Sequence, residues 1–301
     1  MERLIKGTTA YKIFSTDRRN NKLSHAYMLH IADRASLRNA LKILAAEFFA
    51  ADGSLLPRIQ GESYPDFTVY PQDGKKIAVD GISEIIGDSA LRPVEGDKKL
   101  YVIVDFDTAS ALVQNKLLKT LEEPLEGIHF ILGVTSLAPV LDTVKSRVKL
   151  LEIPPFSEEE IFMALQREGD NPLNADAAKS CGGIFGVAQA MVKEGWFQSV
   201  REAAREICGV TKISQIGPVA QKYGDTKYKE QLLSEMQNVC FSALTGRDKS
   251  LSLSEHTLIF ALEQLSRANA DVKFNAFFQG LLYDFMLKVV KENDRWQKLQ
   301  A

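Results

Sequence analysis

Between residues 26 and 153 short apolar runs alternate with stretches of helical periodicity, and this alternation constrains the fold more than any other feature of the chain. Such a pattern specifies a mostly parallel sheet whose strands are joined by crossover helices. Five runs read as strands: Ala26 to Ile31, Asp66 to Tyr70, Leu100 to Val104, His129 to Val134 and Lys149 to Ile153. The third is apolar throughout, as a strand covered on both faces should be. Between the strands, Leu37, Leu41, Leu44, Ala45 and Phe48 recur at helical spacing. Ile82, Ile85 and Ile86 do so within 79–91, and Leu112, Leu117, Leu118 and Leu121 within 108–121, where Pro124 stops the helix.

Pro154-Pro155 ends the pattern, because neither proline can donate to a strand ladder. Ser157 then caps a helix, with Glu160 three residues on and Ile161, Ala164 and Leu165 as its apolar face. No further strand is expected. Gly182, Gly183 and Gly186 punctuate a small helical region that ends near Gly195. Long amphipathic stretches follow, the clearest at 254–265 and 274–290. They carry Phe260, Leu262, Leu265, Phe274, Phe277, Phe278, Leu281, Leu282, Phe285 and Leu287, mostly as internal core. The expected organisation is α/β then all-α: a parallel-sheet domain over 1–153, a small helical domain over 154–195 and a helical domain over 196–301.

Composition narrows the function. The chain has 301 residues and a net charge of −2, so it lacks the basic excess that supplies most of the affinity of a free-standing DNA-binding protein. Protein partners are expected instead. Cys181, Cys208 and Cys240 have no close pair spacing of the kind zinc sites need, and they read as reduced thiols of a cytoplasmic protein. No apolar run has the length of a signal peptide core near the N-terminus or of a membrane span elsewhere.

A parallel sheet of this kind often holds a nucleotide in the turn after its first strand. That turn needs glycines to aim backbone N–H groups at phosphate, a lysine for the β- and γ-phosphates, and a Ser or Thr for magnesium. Here it reads Ala32-Asp33-Arg34-Ala35-Ser36, without glycine or lysine and with an aspartate where an anion would sit. At the end of the third strand Asp105 is followed by Phe106, where an NTPase would place the carboxylate that polarises water. A helix cap is the plainer reading of Asp105. His25, His30, His129 and His256 show neither metal spacing nor a nucleophile pairing, and a structural hydrogen bond is the expected role of His25 and His129. No cofactor or metal is expected.

The segment Gln114-Asn115-Lys116-Leu117-Leu118-Lys119-Thr120-Leu121-Glu122-Glu123-Pro124 closely resembles a motif of the AAA+ subunits of the bacterial DNA polymerase III clamp loader. Ser146-Arg147-Val148 resembles the family's Ser-Arg-Cys motif with the cysteine replaced, and Lys22 to Tyr27 resembles its entry to the first strand. The resemblance covers about residues 1–153. It implies an AAA+ domain, a helical lid and a helical collar. Active members carry the glycine loop, an Asp-Glu pair and four zinc cysteines near the second strand, all absent here, and a sensor arginine near where Val187 stands.

The resemblance therefore implies a non-hydrolysing, stator-type subunit of the clamp loader. By that reading Arg147, with Ser146, reaches across an interface to ATP held by a neighbour; a surface salt bridge is the alternative. Lys119, Glu122, Glu123 and Pro124 form an interface element or simply a helix end. The two glutamates stand unfavourably at the negative end of a helix dipole, so either an arginine or lysine of a partner across an interface, or solvation together with Lys119, is expected to answer them. Implied partners are the loader's ATPase subunits, its delta subunit and, more remotely, primed DNA touched by Arg92, Lys98 or Lys99. The helix opening at Val79 has Ser83 where a basic residue is frequent. The competing functions are an atypical active AAA+ ATPase and an interaction protein of AAA+ descent outside replication.

Overall fold

The structure, a computed structural model, describes residues 1–72, 75–272 and 277–300. Two short helices, α1 (Glu2–Gly7) and α2 (Thr9–Arg19), lead into β1 (Ala26–Ile31) and the long α3 (Arg34–Phe49). After α4 (Leu56–Gln60) come β2 (Phe67–Tyr70), α5 (Val79–Asp88), β3 (Lys99–Ile103), a 3-10 turn (Phe106–Thr108), α6 (Ala111–Glu122), β4 (Ile128–Val134), α7 (Asp142–Lys145) and β5 (Lys149–Ile153). The remainder is helical: α8 (Glu158–Glu168), α9 (Asn174–Ser180), α10 (Phe185–Lys193), α11 (Phe197–Cys208), α12 (Ile213–Tyr223), α13 (Lys229–Leu244), α14 (Glu255–Val272) and α15 (Phe278–Gln300). The residues form two compact units, Met1–Ala190 and Met191–Ala301. Among the described residues no helix is long and apolar enough to cross a membrane.

All five expected strands exist, and they form one parallel sheet ordered β2-β3-β4-β1-β5. Ala26 pairs with Phe130 on one side of β1, and Tyr27 with Lys149 on the other. Apolar β3 and β4 are covered on both faces. On one face Tyr101, Ile103, Phe130 and Leu132 meet Ile82 of α5 and Leu117 and Leu121 of α6, all fully or almost fully buried. Burying such side chains contributes about 1.5–3 kcal/mol each. On α3, Leu37, Leu41, Leu44, Ala45 and Phe48 are all buried, as their spacing predicts.

Some element boundaries moved for definite reasons. Asp66 stays outside β2 because its carboxylate turns back to accept hydrogen bonds from the backbone N–H groups of Glu95 (2.8 Å) and Gly96 (3.0 Å). The helix expected from residue 108 starts at Ala111, behind the 3-10 turn and a Ser110 cap. Leu112, expected on the apolar face, is 66% exposed, because its spacing from Leu117 and Leu121 turns it to the opposite side of the helix. Lys99 is no surface phosphate ligand: it is buried in β3, with Nζ 2.6 Å from Asp88 and lying over the Tyr101 ring. The Ser157–Glu160 capping box is present on α8.

In the second unit α11 to α15 bury an apolar interior. Phe278, Leu282, Phe285, Met286, Val289 and Val290 make the stripe of α15. Phe277, expected in the core, is 74% exposed, and Phe274 lies outside the described residues. Cys208 and Cys240, far apart in sequence, place their sulfurs 3.7 Å apart in that interior.

Candidate functional site

Ligands of open α/β sheets bind at the carboxyl ends of the strands, so the turn after β1 is the first place to look. Asp33 caps α3 there and is buried. Its Oδ1 accepts from the Ser36 N–H at 3.2 Å, and its Oδ2 accepts from the Ser36 hydroxyl and from the Gly186 N–H at 2.7 Å. The positive end of the α3 dipole and one of its orphan N–H groups, that of Ser36, are thus served by a carboxylate of the chain itself. Gly186 opens α10, so the same side chain ties the helical segment after β5 back onto the turn. A Cβ at Gly186 would lie 2.6 Å from Asp33 Oδ1 and 2.7 Å from the Ala35 Cβ, and only glycine permits this approach.

The strand ends beside this turn are also occupied. Asp105, at the end of β3, adopts a left-handed conformation with φ of 55° and does not cap a helix with its side chain, contrary to the sequence expectation. Arg34 Nε lies 3.2 Å from its Oδ1 instead. Phe106 is fully buried and packs into the sheet's core, which is why an apolar residue follows Asp105. The Thr135 hydroxyl, just past β4, donates to Asp107 Oδ2 at 2.8 Å. Val187, near the sensor position, is 41% exposed on α10. Two clefts of about 560 and 640 Å³ are lined by residues such as Tyr70, Lys75 and Gly81 in one and Arg92, Lys98 and Leu125 in the other, none from 32–36 or 105–107.

The second locus is built from the ends of α6 and α7. Ser146 ends α7, and Arg147 follows it before β5 begins. Arg147 is neither free nor sealed in: its side chain is 32% exposed. Its Nε donates to Glu122 Oε1 at 2.8 Å and its Nη2 donates to the same oxygen. Nη1 donates to the Thr143 carbonyl at 2.7 Å and the Ser146 hydroxyl at 3.1 Å. Within the chain Glu122 is therefore answered by Arg147 and not by Lys119, a pairing the dipole argument did not foresee. A half-exposed pair of this kind contributes about 1 kcal/mol or less to stability. Lys119 and Glu123 are exposed and Pro124 is half-buried, so the structure brings only Glu122 of that group to the arginine. Val148 packs against the sheet's core, a place a small apolar side chain fills as well as a cysteine.

Sequence reasoning missed Gln114. It is buried, donates to the carbonyls of Ala109 (3.0 Å) and Pro139 (3.1 Å), and accepts from the Leu141 N–H (2.9 Å). It thereby fixes the loop that delivers α7 and Arg147. An uncharged polar residue among the apolar positions of α6 was the one available signal. Of the two histidines, His129 donates from Nδ1 to the Ser24 carbonyl at 2.9 Å, whereas the buried His25 Nε2 has no hydrogen-bond partner among the described residues.

A parallel sheet in this order, with a helical segment folded back onto the turn after β1, defines an AAA+-type α/β architecture. Residues 6–157 match the family described as DNA polymerase III, delta subunit. The chain belongs to that family of clamp-loader proteins. It is 29% identical over 160 residues to DNA polymerase III subunit delta' of Bacillus subtilis, a match covering 50% of this chain and 49% of that protein. It is 35% identical over 104 residues to DNA polymerase III subunit gamma of Buchnera aphidicola, covering 34% of this chain and 29% of that one. These matches span about half or less of the relatives' length. Among solved structures, a DNA polymerase III gamma subunit-related protein from Thermotoga maritima superposes with a TM-score of 0.46 at 14% identity, covering 92% of this chain and 98% of that one.

Proposed function

We propose that this chain is a delta prime-type subunit of the DNA polymerase III clamp loader, one that binds no nucleotide and supplies Arg147 in trans to ATP held by a neighbouring subunit. The observation that carries the reading is Asp33. Its carboxylate occupies the helix N-terminus where phosphate would bind, and no lysine stands in the turn to offset a triphosphate's charge. Arg147 supports the second half, since it reaches the surface at a sequence motif that resembles the family's interfacial arginine. A guanidinium placed on a transferring phosphoryl group neutralises developing charge and is worth roughly 10³–10⁵ in rate in well-studied GTPases.

In this reading residues 1–153 form the AAA+ domain, 154–195 its lid and 196–301 a collar that holds the subunits together in the cytoplasm. The ATPase and delta subunits are the partners, and primed DNA is enclosed by the assembly. The likeness to gamma subunits favours a second reading, an ATPase with an atypical site. Calorimetric titration of the isolated chain with Mg-ATP separates the two. No binding is expected up to millimolar nucleotide, and micromolar affinity would overturn the proposal. Arg147→Ala, assembled with the loader's other subunits, should lower ATP turnover at least tenfold while leaving the complex intact. Unchanged turnover removes the arginine from the mechanism.

A further inference from the structure

Resting on the reading of Arg147 just given, we propose that Glu122 is a positioning residue for it: the carboxylate holds the guanidinium's Nε edge and leaves the remaining donor for a neighbour's phosphate. An arginine side chain has five N–H donors. Four are engaged within this chain, two by Glu122 Oε1 and one each by the Thr143 carbonyl and the Ser146 hydroxyl. The fifth, on Nη2, has no partner among the described residues. Three partners from the ends of two helices therefore fix a long side chain while its tip stays accessible. Glu122 and Arg147 are 46% and 32% exposed, so the pair is reachable by a third group without unfolding anything.

The weakness of the pair in water is what makes it an orienting device and not a lock. A phosphate oxygen accepts from the free Nη2 donor as a charge-assisted hydrogen bond while Glu122 keeps the Nε edge, and an exposed ion pair yields the small reorientation that docking needs at little cost. What Glu122 contributes is order already in place. An arginine carries enough rotamer freedom that leaving it loose lowers the docked fraction by roughly tenfold. Competing cations do not disturb the arrangement: Lys145 is turned to Asp142 at 2.9 Å and Lys149 to Asp17. Glu122 also ends the motif helix α6. Gln114 at the other end of that helix fixes the loop before α7, so one helix sets both the backbone that carries the arginine and the carboxylate that aims it.

The test uses the loader assembled from all its subunits, with steady-state ATP turnover measured for Arg147→Ala, Glu122→Ala, Glu122→Gln and the double alanine variant. Glu122→Ala is expected to lower kcat about fivefold to tenfold with KM unchanged, and less than Arg147→Ala does. Glu122→Gln, whose amide oxygen still accepts from Nε, should restore most of the loss. The double variant should match Arg147→Ala alone, because Glu122 acts only through the arginine. If Arg147→Ala lowers turnover but Glu122→Ala equals or exceeds wild type, the positioning role falls and the arginine reading stands. An additive loss in the double variant overturns the role as well. If Arg147→Ala itself changes nothing, both fall together. If Glu122→Ala fails to fold or assemble, Glu122→Met, of similar size but without an oxygen acceptor, takes its place: a loss of kcat that Glu122→Gln recovers supports the role, and wild-type turnover in Glu122→Met overturns it.

Discussion

Replacing Asp33 by alanine is the sharpest perturbation of this fold. The side chain caps α3 through the Ser36 N–H, and loss of an aspartate cap costs about 1 kcal/mol. It also satisfies the half-buried Gly186 N–H, for which no second acceptor is present among the described residues, and orphaning such a group costs about 1–2 kcal/mol. The Ser36 hydroxyl loses its partner too. Together Asp33→Ala should destabilise the Met1–Ala190 unit by about 2–3 kcal/mol. Both tryptophans, Trp196 and Trp296, lie in the other unit, so tryptophan fluorescence would miss the change. Backbone hydrogen exchange resolved by residue is the right assay. Protection at Ser36 and across 184–188 should drop, whereas amides of α13 and α15 should exchange as before. Asp33→Asn keeps one acceptor and should fall between the two. If exchange at Gly186 is unaltered in Asp33→Ala, the carboxylate does not hold that segment, and its reading as an internal substitute for phosphate is wrong. The same variant should still fail to bind ATP, because emptying the helix N-terminus does not supply a lysine.

Two further outcomes follow from the packing of the same unit. Gln114→Ala removes three hydrogen bonds from a fully buried amide and should lower stability by about 2–4 kcal/mol in urea unfolding followed by circular dichroism; a loss under about 0.5 kcal/mol would show that the loop before α7 is held otherwise. Burial pushes the His129 imidazole below its ordinary value of 6.5, outweighing the hydrogen bond it donates to the Ser24 carbonyl. The unfolded chain therefore binds this proton first, so the contribution is intact above pH 6.5 and is lost as pH falls from there toward the folded-state value. His129→Gln should accordingly show a smaller drop in thermal midpoint between pH 7.5 and 5.5 than the wild type, and an equal drop would exclude the histidine as the cause.

Apolar periodicity determined the architecture by itself. β-Strands and helices alternate because each run's spacing permits one way of burying it, and the five strands, the apolar face of α3 and the capping box at Ser157 all appear where that spacing puts them. Residue types alone also told against an ordinary nucleotide loop at 32–36 and set the motif at 114–124 apart. Partnership was decided by the tertiary structure. Asp33 meets Gly186 across 153 positions, and Glu122 meets Arg147 across 25. The dipole argument offered Glu122 a partner subunit's cation or Lys119 and missed Arg147, just as local logic made Asp105 a cap and Lys99 a surface charge until Arg34 and Asp88 were in place. Hydrophobic burial repeats along the chain and so is written locally, whereas a charged or hydrogen-bonding group takes whatever complementary group the folded chain brings within about 3 Å, and no spacing along the chain records that meeting.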